Sequence, residues 1–266
     1  MSEIFGSDAY APRQIAERVN EVCVIKAHLP LLTMWMLAML AGAFIGLGAM
    51  YYTLVASDAS LGFAISRVLG GLVFSLGLLL VVVAGAELFT GNNLLAMAWA
   101  DGCLTTRAML RNWLVVSVGN LVGALGLAVL VYLSGHPAMN GGAIAETAIR
   151  IAQAKAELSF TEAFFRGVLC NVLVCMAVWM AMAGRSVVDK AVAIVFPISA
   201  FVAAGFEHSV ANMYFFPLAL LLGAPLEWAD IARNFIAVIL GNLAGGSVLV
   251  ALVYYVIYIR PAHKQS

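Results

Sequence analysis

Two short stretches hold most of the side chains able to do chemistry in an otherwise oily chain. In GFEHSVANM (205–213), Glu207 and His208 stand side by side between Gly205 and Asn212. In GAELFTGNN (85–93), Glu87 and Thr90 occupy a similar setting. Imidazole, with a reference pKa near 6.5, is the side chain best able to exchange a proton near neutral pH. His208 is the one histidine inside an apolar run; His28, His136 and His263 fall in loops or near the termini. A histidine among apolar residues is often a satisfied core group, but an ionisable residue at membrane depth is a functional hypothesis by default. A carboxylate beside a helix break can instead serve structure, accepting freed backbone N–H groups at the positive end of a half-helix. That reading is preferred for Glu87 and Glu207. Thr90 can donate to or accept from an imidazole, or merely bond its own loop.

Three further polar residues stand out. Asn171 lies early in the span containing GVLCNVLVCMA (167–177), and Asn120 and Asn242 are a matched pair best read as helix-packing groups. Lys155, in IAQAKAELSF, reads as a loop lysine, either solvated or concentrating anions at a vestibule. No second histidine is placed to complete a haem or metal site, so no metal or cofactor is expected. The cysteines, Cys23, Cys103, Cys170 and Cys175, form no C-x-x-C pair and read as small packing residues.

The elements that must position these groups are membrane spans. The 266 residues are 64% hydrophobic and 11% charged, with a mean hydropathy of +1.00. Runs of about 20 apolar residues cross a bilayer. Zero net charge gives no sign of a nucleic-acid partner. Six segments are expected, near 31–56, 64–100, 108–134, 160–183, 190–220 and 232–259. The second and fifth are broken at the two polar stretches, which is tolerated only inside protein or beside a cavity. Residues 12–28 read as an amphipathic surface helix or a solvated one, and no cleavable signal is expected. The domain reading is a cytoplasmic helical segment at 1–30, a channel domain at 31–259 and a cytoplasmic tail at 260–266. Nine basic residues against five favour both termini inside. RNWLVVSVGNLVGA (111–124) matches RNFIAVILGNLAGG (233–246) at an offset of 122, and GAE matches GFE at 120. A repeat of three spans must be inverted, and paired broken helices in inverted repeats are a transport architecture. The fold class is therefore all-α, with two inverted three-helix repeats.

Taken in order, GAELFTG, GVLCNVLVCMA and GFEHSVANM resemble the formate/nitrite transporter family over about residues 15–260, most closely its formate channel branch. One departure, Gly91 and Asn92 after Thr90, is nearer the nitrite branch. The resemblance implies an aquaporin-like protomer in a homopentamer of the bacterial inner membrane, each protomer with its own pore. It implies that His208 and Thr90 face one another at the pore centre. It implies that Phe74, Leu78, Leu88, Phe89, Val174 and Phe201 form two apolar constrictions, that Asn171 lines the chamber, and that Lys155 sits in the periplasmic vestibule. The expected substrates are small monovalent anions, formate first, with nitrite or hydrosulfide as the alternative. A membrane redox subunit, from another class, would need ligands the sequence lacks.

Overall fold

A computed structural model describes residues 9–260. It is helical throughout, with six helices long and apolar enough to cross a membrane: Leu31–Ala56, Phe63–Gly85, Thr106–Leu133, Phe160–Ala183, Val187–Ala204 and Trp228–Ile259. In chain order we name α1 (Pro12–Ala27), α2 (Leu31–Ala56), α3 (Phe63–Leu80, extended by a π-helical turn Val81–Gly85), α4 (Leu95–Ala100, preceded by a 3-10 turn Gly91–Leu94) and α5 (Thr106–Leu133). They are followed by α6 (Ala143–Ala156), α7 (Phe160–Ala183), α8 (Val187–Ala204), α9 (Ser209–Leu221) and α10 (Trp228–Leu243, continuing as wider π turns Ala244–Leu252 and Tyr255–Ile259).

Local sequence explains the boundaries. Thr105, Ser159 and Ser186 each accept a backbone N–H in the first turn of the helix that follows, and Ser159 and Ser186 do so in reciprocal capping boxes with Glu162 and Asp189. The two broken spans end their first halves on glycines, Gly85 with φ +81° and Gly205 with φ +74°. Those left-handed conformations suit a residue without Cβ and stop each helix. The twenty-three residues of Phe63–Gly85 rise about 34 Å, so α3 covers the hydrocarbon thickness before the chain turns.

The repeat extends beyond three spans. Lys155 was expected in a loop; it lies in the last turn of the helix α6. The α6 face of Ile144, Ala148, Ala152 and Ala156 is buried, as is the α1 face of Ile15, Val19, Cys23 and Ala27. Each repeat thus comprises a short amphipathic helix, a span, a broken span and a final span. The offset between mates is 129 at the first two elements (Lys26 to Lys155) and 120 to 122 later. First and last spans approach closely at matched glycines. A Cβ on Gly123 would overlap the Met39 carbonyl oxygen, and one on its mate Gly245 the Val168 carbonyl oxygen. The outer faces present bare apolar side chains such as Leu32, Phe63, Leu133, Phe165 and Phe196, as lipid contact requires.

Candidate functional site

Each break is held by a matching circuit of bonds, the first with one addition, Lys26 Nζ donating to Asn92 Oδ1 at 3.1 Å. Glu87 Oε1 pairs with Lys26 Nζ at 3.0 Å and its Oε2 accepts from Asn92 Nδ2 at 2.6 Å. Glu207 Oε1 pairs with Lys155 Nζ at 2.8 Å and its Oε2 accepts from Asn212 Nδ2 at 2.8 Å. Asn92 donates on to Asn112, and Asn212 to Asn234. Asn112 and Asn234 then donate to the backbone carbonyls of Lys26 and Lys155, closing both circuits. Both carboxylates are buried, Glu87 at 4% and Glu207 at 3% exposure. A buried charge must be paired and hydrogen-bonded, and every donor in these circuits comes from the same repeat.

The repeat-matched pair Asn120 and Asn242 does more than pack helices. Asn120 Oδ1 accepts the Phe89 N–H, while its Nδ2 donates to the Glu87 and Ala38 carbonyls. Asn242 Oδ1 accepts the Ser209 N–H, while its Nδ2 donates to the Glu207 and Gly167 carbonyls. Each asparagine satisfies backbone groups freed by a break, which is what irregular backbone at membrane depth needs.

The circuits aim the two loops at one another. Thr90 Oγ1 lies 3.0 Å from His208 Nε2, with Thr90 at 0% and His208 at 2% exposure. His208 Nδ1 accepts the Ala211 N–H at 3.1 Å, so the imidazole also caps α9. An Nδ1 that accepts a backbone proton carries none itself. The neutral ring therefore has its proton on Nε2 and donates it to Thr90 Oγ1. The Thr90 hydroxyl proton remains available to an occupant. Phe201 stacks on the imidazole at 5.8 Å between centroids, and Phe74 meets Phe201 edge-on at 5.6 Å.

A cavity opens on either side of this meeting point, and the two share no lining residue. One, about 440 Å³, is bounded by Lys26, Leu37, Leu78, Glu87, Leu88 and Asn92, with α1 along its wall. The other, about 180 Å³, is bounded by Arg67, Phe74, Lys155, Arg166, Phe201 and His208. Phe74 and Phe201 thus face the Lys155 cavity, and Leu78 and Leu88 the Lys26 cavity. Phe89 and Val174 are buried and line neither. Asn171 also lines neither; its Nδ2 lies 2.7 Å from Asn93 Oδ1 and from the Asn242 carbonyl, and 3.3 Å from the Thr90 carbonyl. Asn93, which the sequence reading did not single out, reaches the Phe89 carbonyl with its amide and accepts Ser247 Oγ at its own carbonyl. Its position in the run GNN was the available signal.

Among the described residues no group of three metal-ligating side chains comes together. Cys23, Cys170 and Cys175 are buried, and Cys103 is exposed near Asp101.

Two inverted repeats whose broken helices meet at one polar contact, between two cavities, define a membrane transport protein. A family model described as formate/nitrite transporter matches residues 13–256, and the chain belongs to that family. It is 38% identical to the formate channel FocA of Escherichia coli K12, covering 95% of this chain and 96% of that one. It is 39% identical to the probable formate transporter of Methanothermobacter thermautotrophicus, covering 96% and 99%. A solved pentameric formate channel with formate bound superposes with a TM-score of 0.80 at 37% identity, covering 86% of this chain and 98% of that one.

Proposed function

We propose that this chain carries formate and related small monovalent anions across the bacterial inner membrane, exchanging a proton at His208. The observation that carries the reading is the buried Thr90–His208 contact between two cavities that share no lining residue, with Phe74 and Phe201 on the wall of one and Leu78 and Leu88 on the wall of the other. The named relatives, formate channels, supply the substrate class. Each protomer holds its own pathway, and five associate. Both termini are cytoplasmic, 1–30 forms a cytoplasmic segment and 260–266 a tail, so the Lys26 cavity opens inward and the Lys155 cavity outward. Of these segments, 1–8 and 261–266 lie outside the described residues.

Apolar rings oppose a bare anion. Taking a carboxylate-sized ion into low dielectric costs ~20 kcal/mol in the idealised limit and several kcal/mol after relaxation. Neutral formic acid meets only the smaller cost of a polar group. A proton delivered to the anion at the centre removes most of the barrier. The balance is simple: a cationic His208 gives its Nε2 proton to the carboxylate oxygen, becoming neutral, and recovers one from the cavity by which the anion entered, so that one proton crosses with each formate. The extra proton of the cation sits on Nδ1, so Nδ1 must release the Ala211 N–H on protonation. The stacked Phe201 face favours that cation. A second reading rests on the same cap: a ring that never releases Ala211 stays neutral, and His208 then acts only as a hydrogen-bonding gate with Thr90.

Proteoliposomes loaded with formate, nitrite, hydrosulfide or acetate test the substrate. Formate is expected to move fastest, with acetate slowed by its methyl group at the rings. Formate flux equal to that of empty liposomes would refute the assignment.

A further inference from the structure

Resting on that transport reading, we infer that Arg166 makes the Lys155 cavity a one-sided capture site for small carboxylates. The two cavities are repeat mates, yet their charge differs. The Lys26 cavity has one cation, Lys26, paired at 3.0 Å with Glu87, so its wall carries no net charge. In the Lys155 cavity the same pair occurs, Lys155 with Glu207 at 2.8 Å, and that lysine is neutralised by its partner. Two cations remain over. Arg67 is occupied as a cap on α8, donating to the carbonyls of Val202 and Ala203 and to Tyr52 Oη. Arg166 lines the cavity and its guanidinium makes no hydrogen bond or salt bridge among the described residues. Glu162, one turn earlier on α7, interacts electrostatically with Arg166, but it is exposed, lies outside the cavity lining and is bonded to the Ser159 N–H and hydroxyl, so the positive charge inside the cavity stays in excess.

The fold contains its own control. Arg166 is the mate of Leu37 at the offset of 129 that relates Lys155 to Lys26. The Leu37 carbonyl accepts the Glu87 N–H, as the Arg166 carbonyl accepts the Glu207 N–H. Leu37 lines the Lys26 cavity as Arg166 lines the other. One position, in two equivalent settings, is leucine on one face and arginine on the other. A guanidinium offers parallel N–H donors that match the two oxygens of a carboxylate. Fixed positive charge in a narrow, low-dielectric cleft raises the local anion concentration. The transporter therefore captures dilute anions better from the Lys155 face than from the Lys26 face.

Initial formate entry into right-side-out and inside-out vesicles reads the two faces separately. At low salt, Arg166→Leu should raise half-saturating formate roughly five-fold on one face only. Maximal flux should be unchanged, and the defect should shrink as salt screens the field. Arg166→Lys should keep most of the capture, and Leu37→Arg should lower half-saturation on the opposite face. An unchanged half-saturation in Arg166→Leu, or an equal rise on both faces, would overturn the inference. Absence of formate flux in the unsubstituted protein would instead overturn the transport reading. Capture is then decided by melting titrations with sodium formate at constant ionic strength: formate should raise the midpoint of the unsubstituted protein and not of Arg166→Leu. Equal rises would reject it.

Discussion

His208 is asked to do two things with two nitrogens. Nδ1 holds the first turn of α9 through the Ala211 N–H, and Nε2 holds Thr90. Its repeat mate at an offset of 120 is Leu88, which can do neither. The asymmetry puts the only imidazole among these loops at the centre without a second one to compete for Thr90. Thr90→Val removes the acceptor and leaves the buried Nε2–H unpaired, a cost of about 1–3 kcal/mol. The expected result is a fall in formate flux of roughly ten-fold or more and a lower melting midpoint, both measured on purified protein; Thr90→Ser should restore most of each. Equal flux in Thr90→Val would mean that the contact plays no part in transport. That the two residues belong together was readable from the paired polar stretches. The cap on Ala211 was not, because it depends on which way the ring is turned.

At the scale of elements, the glutamate circuits decide how stable the breaks are. A solvated loop lysine, as the sequence suggests for Lys155, would carry little packing, and Lys155→Gln would leave the fold intact. With its ammonium on Glu207 and its backbone carbonyl receiving Asn234, the expectation changes. Removing one partner of a buried pair costs about 3–5 kcal/mol, and the 14% exposure of the Lys155 side chain sets the loss toward the lower end. Lys155→Gln should therefore melt earlier than the parent, and Lys155→Gln with Glu207→Gln should recover part of the loss; thermal unfolding in detergent measures both. Gly123→Ala should fail more severely, since the new methyl meets the Met39 carbonyl, with little folded protein recovered by gel filtration. The spans, their two breaks and the repeat of the final span could be read from composition and from the GN-centred match. The pairing of α1 with α6 could not: the offset changes from 129 to 120 between the first and second spans, and the stretch at 143–156, with Glu146, Arg150 and Lys155, is too short and too charged to read as a span. Its buried i, i+4 stripe of Ile144, Ala148, Ala152 and Ala156 was the signal that could have revealed it.

For the whole molecule, the proposed placement of both termini on the cytoplasmic side rests on the basic residues and the even number of spans. A reporter active only in the cytoplasm should signal when fused after residue 266 and stay silent in the turn at His136; the opposite pattern would exchange the inward and outward cavities. The central claim is that an anion crosses the middle by taking a proton from His208. The most direct measurement pairs internal pH change with labelled formate entry in the same proteoliposomes, from pH 5 to 8, for the parent protein and His208→Asn. Asparagine keeps a hydrogen-bonding group but cannot titrate. The account predicts that formate uptake driven by an inward proton gradient collapses in His208→Asn while anion leak persists or grows. Undiminished acid-driven uptake in His208→Asn, with the parent's pH dependence, would contradict it and leave the neutral gate formed with Thr90.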